Sequence, residues 1–115
     1  MTLATVERYD RGRVAGVGDH AVVVGGSMAG LLAARVLADG FQAVTVLDRD
    51  PLPAESVARR GVPQAEHVHA MLEAGRATLD DLFPGFGEAV VSAGGVVIDA
   101  ATELQYYQKG DTLAD

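Results

Sequence analysis

The stretch His20-Ala-Val-Val-Val-Gly-Gly-Ser-Met-Ala-Gly30 constrains the fold of this chain more than any other. Its apolar run, residues 21–24, breaks at glycines and passes at once into a small-residue helical pattern. A second apolar run, residues 44–47, then ends in Asp48. Strand, glycine turn, helix and carboxylate-terminated strand is the order of a dinucleotide-binding βαβ unit. The 29 residues from His20 to Asp48 match the ~30 that such a unit occupies.

Each position in the pattern has a physical reason. Gly25 stands where the chain leaves the strand and turns sharply, which favours a residue without Cβ. Gly30, in the first helical turn, allows the helix to pack close to the strand. Between them the G-x-G-x-x-G pattern is imperfect, because its middle glycine is replaced by Ser27. Serine is small, and its hydroxyl can donate to a phosphate or cap the helix. The N–H groups of Ser27, Met28 and Ala29, at the positive end of the helix dipole, are therefore expected to hold a pyrophosphate. Asp48 follows Gly25 by 23 residues, close to the spacing of a carboxylate that binds ribose hydroxyls.

The chain around this unit reads as follows. Residues 1–19 mix charges with Gly12, Gly16 and Gly18 without periodicity, and are expected to form a flexible N-terminal arm. The first helix is expected over residues 27–39, with Leu31, Leu32, Val36 and Leu37 sharing a face with Met28 and a glycine stop at Gly40. Pro51 and Pro53 end any ladder after Asp48, so residues 54–63, with Arg59-Arg60-Gly61, read as a loop. A second helix is expected over residues 64–83, where Val68, Met71, Leu72, Leu79, Leu82 and Phe83 recur at three- and four-residue spacing before Pro84-Gly85. A short helix over residues 86–93 and a third strand over residues 96–99 follow, and a further strand can start near Leu104. On a helix the rings of His67 and His69 diverge by about 200°. No third ligand accompanies them, so no metal site is assigned.

Composition narrows the class. A length of 115 residues argues for one domain at most, and 49% hydrophobic with 22% charged residues reads as globular. No uninterrupted apolar run is long enough to suggest a membrane span, and the start lacks the pattern of a secretion signal. The absence of cysteine excludes disulfides and leaves the cytoplasm as the default expectation. Net charge is −7, and from Gly61 onward nine acidic residues face only Arg76 and Lys109. Such a surface repels a phosphate backbone, so nucleic acid is not an expected partner.

Taken together, residues 22–37, Val46-Leu-Asp-Arg-Asp50, Arg59-Arg-Gly-Val-Pro-Gln64 and His67-Val-His69 resemble the N-terminal segment of FAD-dependent oxidoreductases of the aromatic-hydroxylase and squalene-epoxidase type. Within that group they look most like actinobacterial polyether-type epoxidases and related monooxygenases. The resemblance implies an α/β fold, a partial Rossmann-like FAD-binding βαβ unit followed by helices and a third strand. Its sheet would be incomplete, with residues 20–115 forming the N-terminal part of an FAD-binding domain. It implies that Gly25, Gly26, Ser27, Met28, Ala29 and Gly30 lie against the FAD pyrophosphate and Asp48 against the adenosine ribose. Arg49 would lie beside the adenine, and Arg60, with Arg59, near the phosphates or the flavin. In such enzymes NAD(P)H reduces the flavin and one oxygen atom of O2 passes to an aromatic ring or alkene. The relatives are several times longer and carry a second Gly-Asp FAD motif, for which Gly110-Asp111 is no counterpart. The resemblance therefore supplies neither a catalytic residue nor a substrate. The chain alone is expected to bind FAD weakly or not at all and to associate through an exposed sheet edge, unless a C-terminal half covers it. An NAD(P)-binding Rossmann module and a non-catalytic remnant are the other readings.

Overall fold

The computed structural model describes residues 9–104 with their side chains, and the backbone of two further short strands. The fold is mixed α/β. Strand β1 (Gly18–Val24), helix α1 (Met28–Leu37) and strand β2 (Phe41–Leu47) form the central unit, followed by α2 (Glu73–Leu82) and α3 (Phe86–Ser92). A two-residue antiparallel pair, β3 (Tyr107–Gln108) with β4 (Asp111–Thr112), closes the series in the region where a further strand was expected.

Strands β1 and β2 pair in parallel, Ala21 opposite Val44 and Val23 opposite Val46. Both begin earlier than their apolar runs suggest, because backbone pairing extends through Gly18 opposite Phe41 and His20 opposite Ala43. Ala21, Val23, Val44 and Val46 are half-buried, whereas the alternate residues His20, Val22, Val24, Ala43, Thr45 and Leu47 are exposed. This period of two follows from the strand pleat, which sends successive side chains to opposite faces. Helix α1 covers the half-buried face, where Val23 Cγ1 lies 3.5 Å from where a Cβ on Gly30 would stand.

Helix α1 is built mainly from Met, Ala, Leu and Arg, which lose little entropy in a helix, with Gly30 and Val36 the exceptions. It closes with tightened bonds from the Asp39 N–H to the Val36 carbonyl and from the Gly40 N–H to the Leu37 carbonyl. The Val17 N–H then donates to the Gly40 carbonyl at 2.8 Å, tying the approach to β1 to the end of α1. Residues 1–8 of the expected flexible arm lie outside the described residues. Its remainder is held: the Tyr9 hydroxyl donates to Asp39 Oδ2 at 2.8 Å, and residues Arg11–Arg13 form a 3-10 turn capped by Asp10. Arg35 pairs with the same Asp39 oxygen at 3.0 Å.

Two expectations need correction. The helix over residues 64–83 is broken into a 3-10 turn at Pro63–Glu66 and α2 at Glu73–Leu82. Val68, Met71 and Leu72 in between are 99%, 47% and 76% exposed, so the apolar spacing there meets no surface to pack on, and propensity alone does not hold a helix. The third strand over residues 96–99 is absent. Val96, Val97 and Ile98 are exposed and pair with no neighbour among the described residues. A strand exists only where another edge accepts its hydrogen bonds, and here the chain leaves α3 through Gly94 at φ +104° without reaching the sheet.

Helix α2 packs beside α1 and carries Leu79 and Leu82, the two buried hydrophobic side chains among the described residues. Arg35 Nε donates to the Leu82 carbonyl at 2.8 Å. No helix among the described residues is long and apolar enough to cross a membrane.

Candidate functional site

The site is assembled at the carboxyl ends of β1 and β2. The Gly25 N–H donates to the Leu47 carbonyl at 2.7 Å, carrying the strand pairing one residue beyond β1. Gly25 then adopts φ +106°, a conformation that an L side chain rarely tolerates. Gly26 is buried, and Ser27 occupies the N-cap of α1 in extended conformation. The Ser27 hydroxyl makes no capping bond, while its carbonyl accepts from the Leu31 N–H at 2.9 Å. The N–H groups of residues 28–30 therefore lie in a first turn that offers them no helical carbonyl. Gly30 is required by close approach, since a Cβ there would stand 1.7 Å from the Gly25 carbonyl oxygen.

Asp48, the residue after β2, reaches this turn. Its Oδ2 accepts the Gly26 N–H at 2.6 Å and its Oδ1 the Asp50 N–H at 2.8 Å. Those two amides hold its carboxyl below the usual carboxylate range, with the one from Asp50 contributing most. Partial desolvation opposes the shift, and the charges of Arg59 and Arg49 reinforce it. The group is thus an anion that nearby donors keep ionised and oriented.

Arg59 completes the arrangement. Its Nη2 donates to the Gly26 carbonyl at 2.8 Å, and its Nη1 lies 3.7 Å from Asp48 Oδ2. Only 16% of the Arg59 side chain and 12% of that of Asp48 is exposed, so the pair is largely shielded from solvent. Nη1 is buried without a hydrogen-bond partner. The loop that carries Arg59 is folded back by the Gly61 N–H, which donates to Asp50 Oδ2 at 2.6 Å, and by Leu52, whose Cδ2 stands 3.0 Å from a Cβ position on Gly26.

Gly25, Gly26, Ser27, Met28, Ala29, Gly30 and Asp48 are therefore brought together as the spacing predicts. Arg49 lies next to Asp48 with its guanidinium against Gly61, 3.1 Å from that residue's Cβ position. Of the two adjacent arginines it is Arg59 that contacts the turn; Arg60 is exposed and makes none of these contacts. Asp50 and Gly61 were not anticipated. The Asp-x-Asp spacing after β2 was the available signal, since an aspartate readily accepts backbone amides two residues on. His67 and His69 are exposed in the segment between the 3-10 turn and α2. Among the described residues no group of three or more His, Asp or Glu is placed to hold a metal. A cleft of about 420 Å³ between α1, α2 and α3 is lined by Met28, Leu31, Leu79, Phe83 and Phe86 among others. None of its lining residues is titratable, so it supplies no acid–base group.

Among known proteins, Protein Rv3254 of Mycobacterium tuberculosis is 44% identical to this chain over 95 residues. The matched segment makes up 83% of this chain and 20% of Rv3254, so the chain spans about a fifth of the length of that relative. No family model matches the chain.

Proposed function

We propose that the β1–α1–β2 unit binds the adenylate half of a dinucleotide cofactor, FAD in the reading that its sequence resemblance favours. On that reading it belongs to a flavin-dependent oxidoreductase of the monooxygenase type. The observation that carries the proposal is the 2.6 Å bond between the Gly26 N–H and Asp48 Oδ2. It joins the glycine turn and the strand-end carboxylate, two features that a ribose and its attached phosphates need side by side.

The residues fit the group on structural grounds. Without a Cβ at Gly30 the helix start approaches the strand end closely, and the first-turn amides of residues 28–30 are available to phosphate oxygens. A carboxylate has about four acceptor positions. Asp48 uses two for Gly26 and Asp50, and the others suit ribose hydroxyls. Its negative charge also favours an unphosphorylated ribose over a 2′-phosphate. Arg59 holds the Gly26 carbonyl, orienting the turn and offsetting the carboxylate's charge. A bound flavin would supply the redox chemistry, and the chain's own residues bind and orient its adenylate end.

The test is a titration of the isotope-labelled chain with ADP, FAD and NADH, followed residue by residue by NMR. Weak binding, read as shifts centred on residues 25–30 and Asp48 at millimolar ADP and FAD, is expected, in line with an incomplete FAD-binding domain. No shift there at millimolar ligand would remove the proposal, and a response to NADH without one to FAD would move it to a nicotinamide cofactor.

A further inference from the structure

Gly26 is held at both of its polar groups by side chains that follow β2. Asp48 Oδ2 accepts its N–H at 2.6 Å, and Arg59 Nη2 donates to its carbonyl at 2.8 Å. A trans peptide unit is planar, so its carbonyl and the following N–H point in opposite directions. Fixing the Gly26 carbonyl therefore fixes the Ser27 N–H, at the entrance to the first turn of α1. That N–H is one of the donors expected to meet a pyrophosphate.

What keeps Arg59 in place is a second bond, between the ends of its loop. An arginine side chain is long and rotamer-rich, so it holds one carbonyl reliably only where its backbone is fixed. Residues 51–58 are exposed, so burial gives the segment little hold. Instead the Gly61 N–H donates to Asp50 Oδ2 at 2.6 Å, closing the loop two residues beyond Arg59. The spacing is matched to that bond, since a Cβ on Gly61 would stand 2.6 Å from Asp50 Oδ2 and 3.1 Å from Arg49 Nε. Pro51 and Pro53 stiffen the start of the loop by fixing φ. After Arg59, the Val62 N–H donates to its carbonyl at 3.0 Å. Asp50 is used here as the acceptor of a backbone amide. Its negative charge is by itself unfavourable to a bound diphosphate.

We infer that Asp50 is a positioning residue of this site. By accepting the Gly61 N–H it makes residues 50–61 a strap that keeps Arg59 on the Gly26 carbonyl, and so presets the Ser27 N–H for a pyrophosphate. The ligand half of this inference rests on the cofactor reading; the strap itself is read in the free chain.

The experiment compares Asp50→Ala and Asp50→Asn with the parent by NMR of the labelled chain, free and titrated with ADP and with adenosine. In the free Asp50→Ala chain the Gly26 and Ser27 amide signals are expected to move, while those of β1 and β2 stay in place and report an intact fold. ADP binding should weaken about threefold to tenfold relative to adenosine, the range for one hydrogen bond. Asp50→Asn keeps an acceptor for Gly61 and should bind ADP at least as well as the parent. Charge alone predicts the opposite for alanine, because removing an anion strengthens ADP binding in both variants alike. With Arg59→Met already present, Asp50→Ala should add nothing.

Unmoved Gly26 and Ser27 signals in Asp50→Ala overturn the inference. So do equal ADP affinities in the two Asp50 variants, or a full effect of Asp50→Ala without Arg59. A parent chain that answers neither ligand removes the cofactor reading, and the free-chain signals then decide the strap by themselves.

Discussion

Gly30→Ala would place a methyl group 1.7 Å from the Gly25 carbonyl oxygen, and the helix start and strand end must separate to admit it. The expected cost is about 3 kcal/mol or more, at the upper end for overpacking, measured by urea unfolding, with loss of the ADP-induced NMR shifts. Asp48→Asn keeps the shape but turns one acceptor into a donor facing either the Gly26 or the Asp50 amide. ADP affinity is expected to fall at least about tenfold, because the amide group offers the ribose hydroxyls fewer acceptor positions and no charge. The same carboxylate predicts a pH response. Its folded pKa lies below its ordinary value of 3.8, so its stabilising effect is complete above that value and is lost as pH falls through the depressed one. Circular dichroism followed from about pH 7 to about pH 2 should therefore show a weaker acid dependence in Asp48→Asn than in the parent. Asp39, lowered chiefly by the Tyr9 hydroxyl, adds a second contribution of the same sign that this substitution leaves intact.

At the scale of elements, the Asp80 side chain ties α2 to the start of α3. Arg76 pairs with both Glu73 and Asp80 along α2, and Asp80 Oδ1 also accepts the Gly87 N–H at 3.0 Å, capping the start of α3 from outside it. Asp80→Ala is expected to cost ~1 kcal/mol, the usual value of a helix cap. Asp80→Asn, which keeps an acceptor for Gly87, should cost less, and urea unfolding of the two variants compares them. Leu82→Ala empties one of the two buried hydrophobic positions and is expected to cost ~2–3 kcal/mol. The fate of residues 67–72 has the same physical basis. Their periodicity equals that of α2, but only the turns bearing Leu79 and Leu82 find α1 to bury against, and a helix without a buried face is marginal in water.

For the molecule as a whole, a parallel two-stranded sheet covered on one face supports little core. With Leu79 and Leu82 as the buried hydrophobic side chains among the described residues, the chain alone is expected to unfold over a broad range. A steep calorimetric transition above about 60 °C, in the upper range for mesophilic domains, would contradict that expectation. The exposed run at Val96–Val97–Ile98 belongs to the same picture: a sequence with strand propensity that joins neither open edge of the sheet among the described residues.

What the sequence alone determined is local. The parallel strands, the helix between them, the need for glycine at positions 25 and 30, and the reach of Asp48 to the turn follow from strand pleat, backbone sterics and a spacing of 23 residues. These properties depend on near neighbours, so they are legible in order along the chain. Tertiary structure decided the rest: which of Arg59 and Arg60 meets Gly26, how Asp50 and Gly61 fold the loop back, where the second helix begins, and whether residues 96–99 form a strand. Each of those depends on a partner distant in sequence, and a residue's own propensity does not specify which surface or edge will be there to receive it.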